Sequence, residues 1–184
     1  MRISGGMLAG RHVECPPGVI RPAMDRMRES VFACLGDLTG CSFLDLFSGS
    51  GIIALEAASR GADPVEAVEV DPLKRAVLLA NVSIAPIRIQ CRFMPVELYV
   101  QRAKTGFDII FCDPPFKYPF KADLVQKIAG STLMKPESLV LLHRHHRDPV
   151  ESRLLIRRES REYGRSVVDF FVLNPDEKRE KEFI

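Results

Sequence analysis

Short apolar runs of strand length alternate along this chain with segments of helical period, and that alternation restricts the fold more than any other feature. Residues 65–70 (VEAVEV) and 138–143 (SLVLLH) read as strands, and 41–47 (CSFLDLF) and 107–113 (FDIIFCD) are runs rich in apolar side chains. Strands buried on both faces read in this way. Met24, Met27, Val31, Phe32 and Leu35 recur at helical spacing and predict a helix over 24–35, stopped by Gly36. A second helix is expected over 51–60, with Gly61 as its C-cap. Asp71-Pro72 reads as a helix start, Asp as N-cap and Pro at the first helical position, for a helix running to about Ile84. A weaker strand covers 87–93, a helix begins near Pro95, and another lies near 120–130. The tail offers LLIRRESREYG and SVVDFFVL, two strands joined at Gly164 and therefore antiparallel to each other. Strands alternating with helices imply a parallel sheet covered on both faces. The expectation is one doubly wound α/β domain over 1–184, with an antiparallel C-terminal edge. Residues 1–22 form a basic, β-hairpin-like appendage ahead of the core at 23–184. In such sheets ligands bind at the carboxyl ends of the strands.

Composition narrows the class. The 184 residues are 46% hydrophobic and 27% charged, an ordinary globular balance. The apolar runs are too short to span a bilayer, and the opening MRISGGMLAG has no apolar stretch of signal-peptide length. The five cysteines are odd in number and form no C-x-x-C pair, which points to a reducing cytoplasm and away from structural zinc. A metal reading of His143, His145 and His146 fails for want of a carboxylate or Cys at suitable spacing; an RNA-facing or solvated loop is expected there. The net charge is only +2, so a nucleic-acid partner must be met by local patches. Residues 1–30 hold five Arg against three acids, and 142–165 hold seven Arg against four acids. Arg11, Arg21, Arg26 and Arg28 are the candidates for phosphate contacts, which give affinity without sequence choice. The alternative for some of them is pairing with Asp25 or Glu29 within the helix.

Three strand ends carry the chemistry. The first reads Asp45-Leu46-Phe47-Ser48-Gly49-Ser50-Gly51. Glycines at 49 and 51 permit a tight turn with close backbone approach to a ligand, and the following helix N-terminus presents N–H groups. Gly49-x-Gly51-x-x-Ala54 also fits a dinucleotide fingerprint, so the turn alone does not separate NAD from S-adenosylmethionine. Asp45 tilts the choice, because a carboxylate suits an ammonium and repels a pyrophosphate. The second strand ends in Glu69, a carboxylate able to accept from both hydroxyls of a ribose. A later strand ends in Asp113-Pro114-Pro115-Phe116. Two prolines stiffen the turn and leave its carbonyls without competing donors. Asp113 and the Pro114 carbonyl can accept the two N–H bonds of an exocyclic amine, and Phe116 offers a stacking face for a base.

These residues resemble a known family. Asp113-Pro114-Pro115-Phe116 looks like the D/N-P-P-Y/F/W motif of amino-methyltransferases, and with the 45–51 loop it resembles the class I methyltransferase fold. The ordered set of Arg21-Pro22, Asp25-Arg26, Arg28-Glu29-Ser30, Phe32, DLFSGSG, LEAASRGA, VEVD and the step at Tyr163-Gly164 is similar to the RsmD family, bacterial 16S ribosomal RNA guanine-N2 methyltransferases. The resemblance implies a Rossmann-like, seven-stranded, mostly parallel sheet with its last pair antiparallel. It implies S-adenosylmethionine as methyl donor, held by Asp45, Phe47, Ser48, Gly49, Ser50, Gly51 and Glu69. It places Asp113 to Phe116 at a guanine of small-subunit rRNA, free or in the assembled subunit, and makes a monomer the default. Ser48 stands where the family usually has Ala, and the segment 91–95 (CRFMP) stands where an acid near the adenine is usual, so backbone groups are expected to read the adenine. Competing functions are a DNA adenine or cytosine amino-methyltransferase, an NAD-linked oxidoreductase, disfavoured by Asp45 and Asp113 to Phe116, and a non-catalytic RNA-binding relative.

Overall fold

A computed structural model describes residues 1–15 and 22–176. The chain divides into two compact units, 1–96 and 97–184.

The first unit holds helices α1 (Pro22–Leu35), α2 (Ile52–Ser59) and α3 (Arg75–Val82), and strands β1 (Phe43–Leu46), β2 (Val65–Glu69) and β3 (Gln90–Phe93). The strands lie in the order β3-β2-β1, all parallel, with Phe43 opposite Val65 and Glu69 opposite Phe93. β1 is buried at every position, its three apolar side chains and Asp45 alike. α2 is buried at all eight positions, including Glu56 and Ser59, so it is an interior helix rather than an amphipathic cover. It closes as expected at Gly61, whose φ of +95° lets the chain turn away from the helix end. Phe32 on α1 stacks on Phe43, ring centroids 6.0 Å apart. Asp71 caps a 3-10 turn (Pro72–Lys74), accepting from Leu73 N at 2.9 Å, and the α-helix proper begins only at Arg75. The expected hairpin-like N-terminus is a loop closed by one antiparallel bridge, Arg2 to His12. Ile3, Leu8 and Val13 on it are buried, and Met7 N donates to Ser59 O at 2.7 Å.

The second unit holds strands β4 (Phe107–Cys112), β5 (Met134–His145), β6 (Leu155–Tyr163) and β7 (Ser166–Leu173), with α5 (Lys121–Ala129). α4 (Val96–Arg102) opens at the boundary of the two units. The order is β4-β5-β7-β6: β4 and β5 parallel, β7 antiparallel to both β5 and β6. β6 and β7 are joined by a two-residue turn in which Gly164 takes φ +64°. Seven strands thus make a mostly parallel sheet with an antiparallel C-terminal edge. β5 is longer than its apolar run suggests, continuing through Arg144 to His145. No helix among the described residues is long and apolar enough to cross a membrane.

Candidate active site

In the first unit the turn after β1 is held from below by two buried carboxylates. Asp45, 1% exposed, accepts from Ser48 Oγ at 2.5 Å and from Ala54 N at 3.2 Å through the same oxygen. Its charge therefore braces the turn against the first turn of α2, where backbone N–H groups otherwise lack partners. Glu69 accepts from Gly49 N at 2.7 Å and from Asp71 N at 2.8 Å, with Lys74 Nζ 3.7 Å away. Ser48 N donates to Val68 O, tying the turn to β2. Phe47 has φ +65°, the one non-glycine among the described residues in that region, a conformation kept only where surrounding bonds impose it. Gly51 has φ +81°, and a Cβ there would stand 2.6 Å from Leu78 Cδ1, so α3 packs on its bare Cα. Ser50, its side chain buried, gives its carbonyl to Asn81 Nδ2 at 2.8 Å. Asn81 also exchanges two hydrogen bonds with the Glu14 backbone, and so joins the N-terminal loop to the turn. Sequence reading passed over Asn81 because its partners lie far along the chain.

Residues 91–95, at the end of β3 and just past it, carry no acid. Burial first, and the Asp45 charge second, push the Cys91 thiol pKa up, so it stays protonated near neutrality. Phe93 is covered by the Arg75 guanidinium, 4.5 Å from the ring centroid.

The N-terminal arginines separate. Arg11 and Arg26 are exposed, and Arg21 lies outside the described residues. Arg28 corrects the expectation of a phosphate contact. It is 3% exposed, and its guanidinium donates to Glu56 Oε1 at 2.9 Å, Asp25 Oδ1 at 2.7 Å and Arg2 O at 2.8 Å. A guanidinium bound on three sides inside the protein cannot reach a phosphate.

In the second unit β4 delivers Asp113 to the start of the Pro114-Pro115 turn. Asp113 Oδ1 lies 2.7 Å from His143 Nδ1 on β5. Phe116 meets the His143 and His145 rings edge-on, with centroids 5.4 and 5.5 Å apart. Tyr118 N donates to Pro115 O, closing the turn. Lys121 Nζ, buried, donates to the carbonyls of Phe116 at 2.9 Å and Tyr118 at 2.5 Å and pairs with Asp148 at 2.7 Å. Tyr118 donates to Glu97 at 2.5 Å, and burial and that carboxylate push its phenol pKa well up. The loop is thus fastened to the end of β5 by an acid, a ring and a cation.

His143 lies in β5 as its apolar run predicts, the strand continues through Arg144 and His145 where a solvated or RNA-facing loop was expected, and His146 begins the exposed turn that follows. His143 and Arg144 are buried strand residues, and Arg144 forks onto Asp169 of β7 at 2.5 and 3.2 Å. His145 is partly exposed, and desolvation, then the charges of His146 and Arg147, hold its pKa below the ordinary value. Among the described residues no cluster of His, Cys, Asp or Glu could hold a metal.

Comparison with known proteins places this geometry. The ribosomal RNA small subunit methyltransferase D of Escherichia coli K12 is 29% identical over 144 residues, covering 76% of this chain and 72% of that protein. The E. coli protein yhhF shares the fold with a TM-score of 0.85 at 22% identity, over 95% of this chain and 98% of its own. SMU.776, solved in complex with SAH, aligns with a TM-score of 0.66 at 17% identity, over 83% of this chain and 50% of its own. The family model described as Conserved hypothetical protein 95 matches residues 1–172, and with the turn after β1 and the Asp113 to Phe116 loop both in place, the chain belongs to that family, the RsmD-type methyltransferases.

Proposed function

We propose that this protein transfers a methyl group from S-adenosylmethionine to the exocyclic N2 amine of a guanine in small-subunit ribosomal RNA. The observation that carries the reading is Asp113, held at the end of a buried strand by a 2.7 Å contact to His143 and followed by a stiff Pro-Pro turn and an anchored ring. The name of the E. coli relative supports rRNA of the small subunit as the substrate.

The residues of the first unit suit the cofactor. A carboxylate offers about four acceptor positions; Glu69 fills two with Gly49 and Asp71 N–H groups, which leaves capacity for the hydroxyls of a ribose. At Gly49 a Cβ would meet nothing nearer than 4.0 Å, so the turn presents an open surface there. Asp45 places a buried negative charge beneath the turn, favourable to the ammonium of a methionine moiety. Phe47, Ser48, Ser50 and Gly51 shape the turn.

S-adenosylmethionine supplies an electrophilic methyl on a sulfonium. The guanine amine is a weak nucleophile because its lone pair is delocalised into the ring. Asp113 and the Pro114 carbonyl accept its two N–H bonds, Pro115 stiffens the turn, and Phe116 stacks on the base. These contacts orient the lone pair and stabilise positive charge growing on nitrogen. Asp113 or water then takes the proton. Arg11, Arg21 and Arg26 serve RNA phosphates.

The test is methyl transfer from labelled S-adenosylmethionine to small ribosomal subunits from a strain lacking this activity, with naked rRNA and duplex DNA alongside. Label recovered as N2-methylguanine in small-subunit RNA is expected. Label on adenine, or on DNA alone, overturns the assignment.

A further inference from the structure

The geometry points to His143 as the positioning residue for Asp113: its Nδ1–H holds one carboxylate oxygen and leaves the other to the incoming amine. The inference rests on the proposed methyl transfer and adds a residue to it.

His143 sits on β5, 2% exposed, with Nδ1 2.7 Å from Asp113 Oδ1. Its Nε2 is buried and has no hydrogen-bonding partner among the described residues. That asymmetry selects the tautomer. A proton on Nε2 would bury a donor with no acceptor and leave Nδ1 facing a carboxylate lone pair to lone pair. A proton on Nδ1 satisfies the carboxylate and leaves only an unfilled lone pair inside, the cheaper of the two. Of the two tautomers, the Nδ1–H form is therefore the one that suits the contact with the Asp113 carboxylate.

The imidazole cannot swing away. Phe116 packs edge-on against it, and the next residue, Arg144, is forked onto Asp169, which fixes the register of β5 on β7. Asp113, by contrast, has a side chain 21% exposed beside 3% for His143. An acid that is accessible on one side and tethered on the other is what orienting an amine requires. His143 touches neither base nor cofactor; it acts through Asp113.

The test compares His143→Asn with His143→Gln in methyl transfer to small ribosomal subunits, with S-adenosylmethionine affinity and melting temperature measured on each. The Asn amide nitrogen falls near the place of Nδ1 and can still donate to Asp113; the Gln amide falls near Nε2 and cannot. His143→Gln is expected to lower kcat by about 100-fold with cofactor affinity unchanged, and His143→Asn to restore most of it. Equal activity of both variants with the wild type, or equal loss in both in step with melting temperature, overturns the inference. A second measurement keeps it separate from the methyl-transfer reading. Nitrogen-15 NMR should show the Nδ1–H tautomer in the wild type and its loss in Asp113→Ala. An Nε2–H tautomer in the wild type refutes the positioning role even if methyl transfer is found. The Nδ1–H tautomer without any transfer by the wild type refutes the function and leaves the pair intact.

Discussion

Arg28 Nε lies 2.9 Å from Glu56 Oε1, and both side chains are buried. Glu56 also accepts from Ser4 N at 2.7 Å and pairs with Arg60, so one carboxylate joins the N-terminal loop, α1 and α2. Removing one partner of a buried pair leaves the other charge uncompensated. Glu56→Ala should destabilise the protein by about 3–5 kcal/mol, measured by urea unfolding. A change below about 1 kcal/mol, the range of an exposed pair, would show that water reaches Arg28.

Gly51→Ala should act on two levels. The new methyl would meet Leu78 Cδ1 at 2.6 Å and Val82 Cγ1 at 3.0 Å, in a backbone conformation that L residues avoid. A loss of about 1–3 kcal/mol in stability is expected, together with weaker S-adenosylmethionine binding by calorimetry, because the turn after β1 must shift. Ala at Gly36, which also has positive φ but nothing within 4 Å, is the control: it suffers the backbone strain without the clash.

Asp113→Asn keeps the shape of the side chain and removes its charge. Methyl transfer should fall by on the order of 10²–10³-fold, the usual effect of losing one group aimed at developing charge. Cofactor affinity, which the proposed function assigns to residues of the first unit, should hold within a few-fold. Parallel loss of both would dissolve the division of roles.

The exposed Arg11 and Arg26 should behave differently from Arg28. Arg11→Gln and Arg26→Gln are expected to weaken RNA binding evenly across sequences and to lower the slope of log affinity against log salt by about one each. Arg28→Gln should instead lower the melting temperature, since its partners are Glu56 and Asp25. An unchanged slope in both exposed variants would remove the N-terminal segment from the RNA interface.

What the sequence revealed follows from how local each signal is. The buried strands, the Gly49-Ser50-Gly51 turn and the Asp113 to Phe116 loop are contiguous, so periodicity and turn chemistry expose them. Glu69 was visible as a strand-end acid, but not that it grips Gly49 N, a contact twenty residues apart. His143 was visible as the end of an apolar strand, but neither its contact with Asp113 nor the continuation of the strand through Arg144 was, because a run of His and Arg after an apolar segment imitates the end of a strand. The partners that bury that run, Asp113 and Asp169, lie 30 and 25 residues away. Arg28 misled for the same reason: counting charge along the chain treats every arginine as solvated, whereas Glu56 draws this one inside.

Asp169, fully buried on β7, accepts from Arg144 and from Ser160 Oγ, 2.6 Å away on β6. The C-terminal hairpin carries no reacting group, yet it sets how far β5 advances and thus where His143 stands behind Asp113. A slip of one position there would turn His143 to the opposite face of the sheet and leave the motif intact in sequence but aimed at nothing. Loss of activity in this enzyme therefore has a second address, in strands that a search for motifs would never visit.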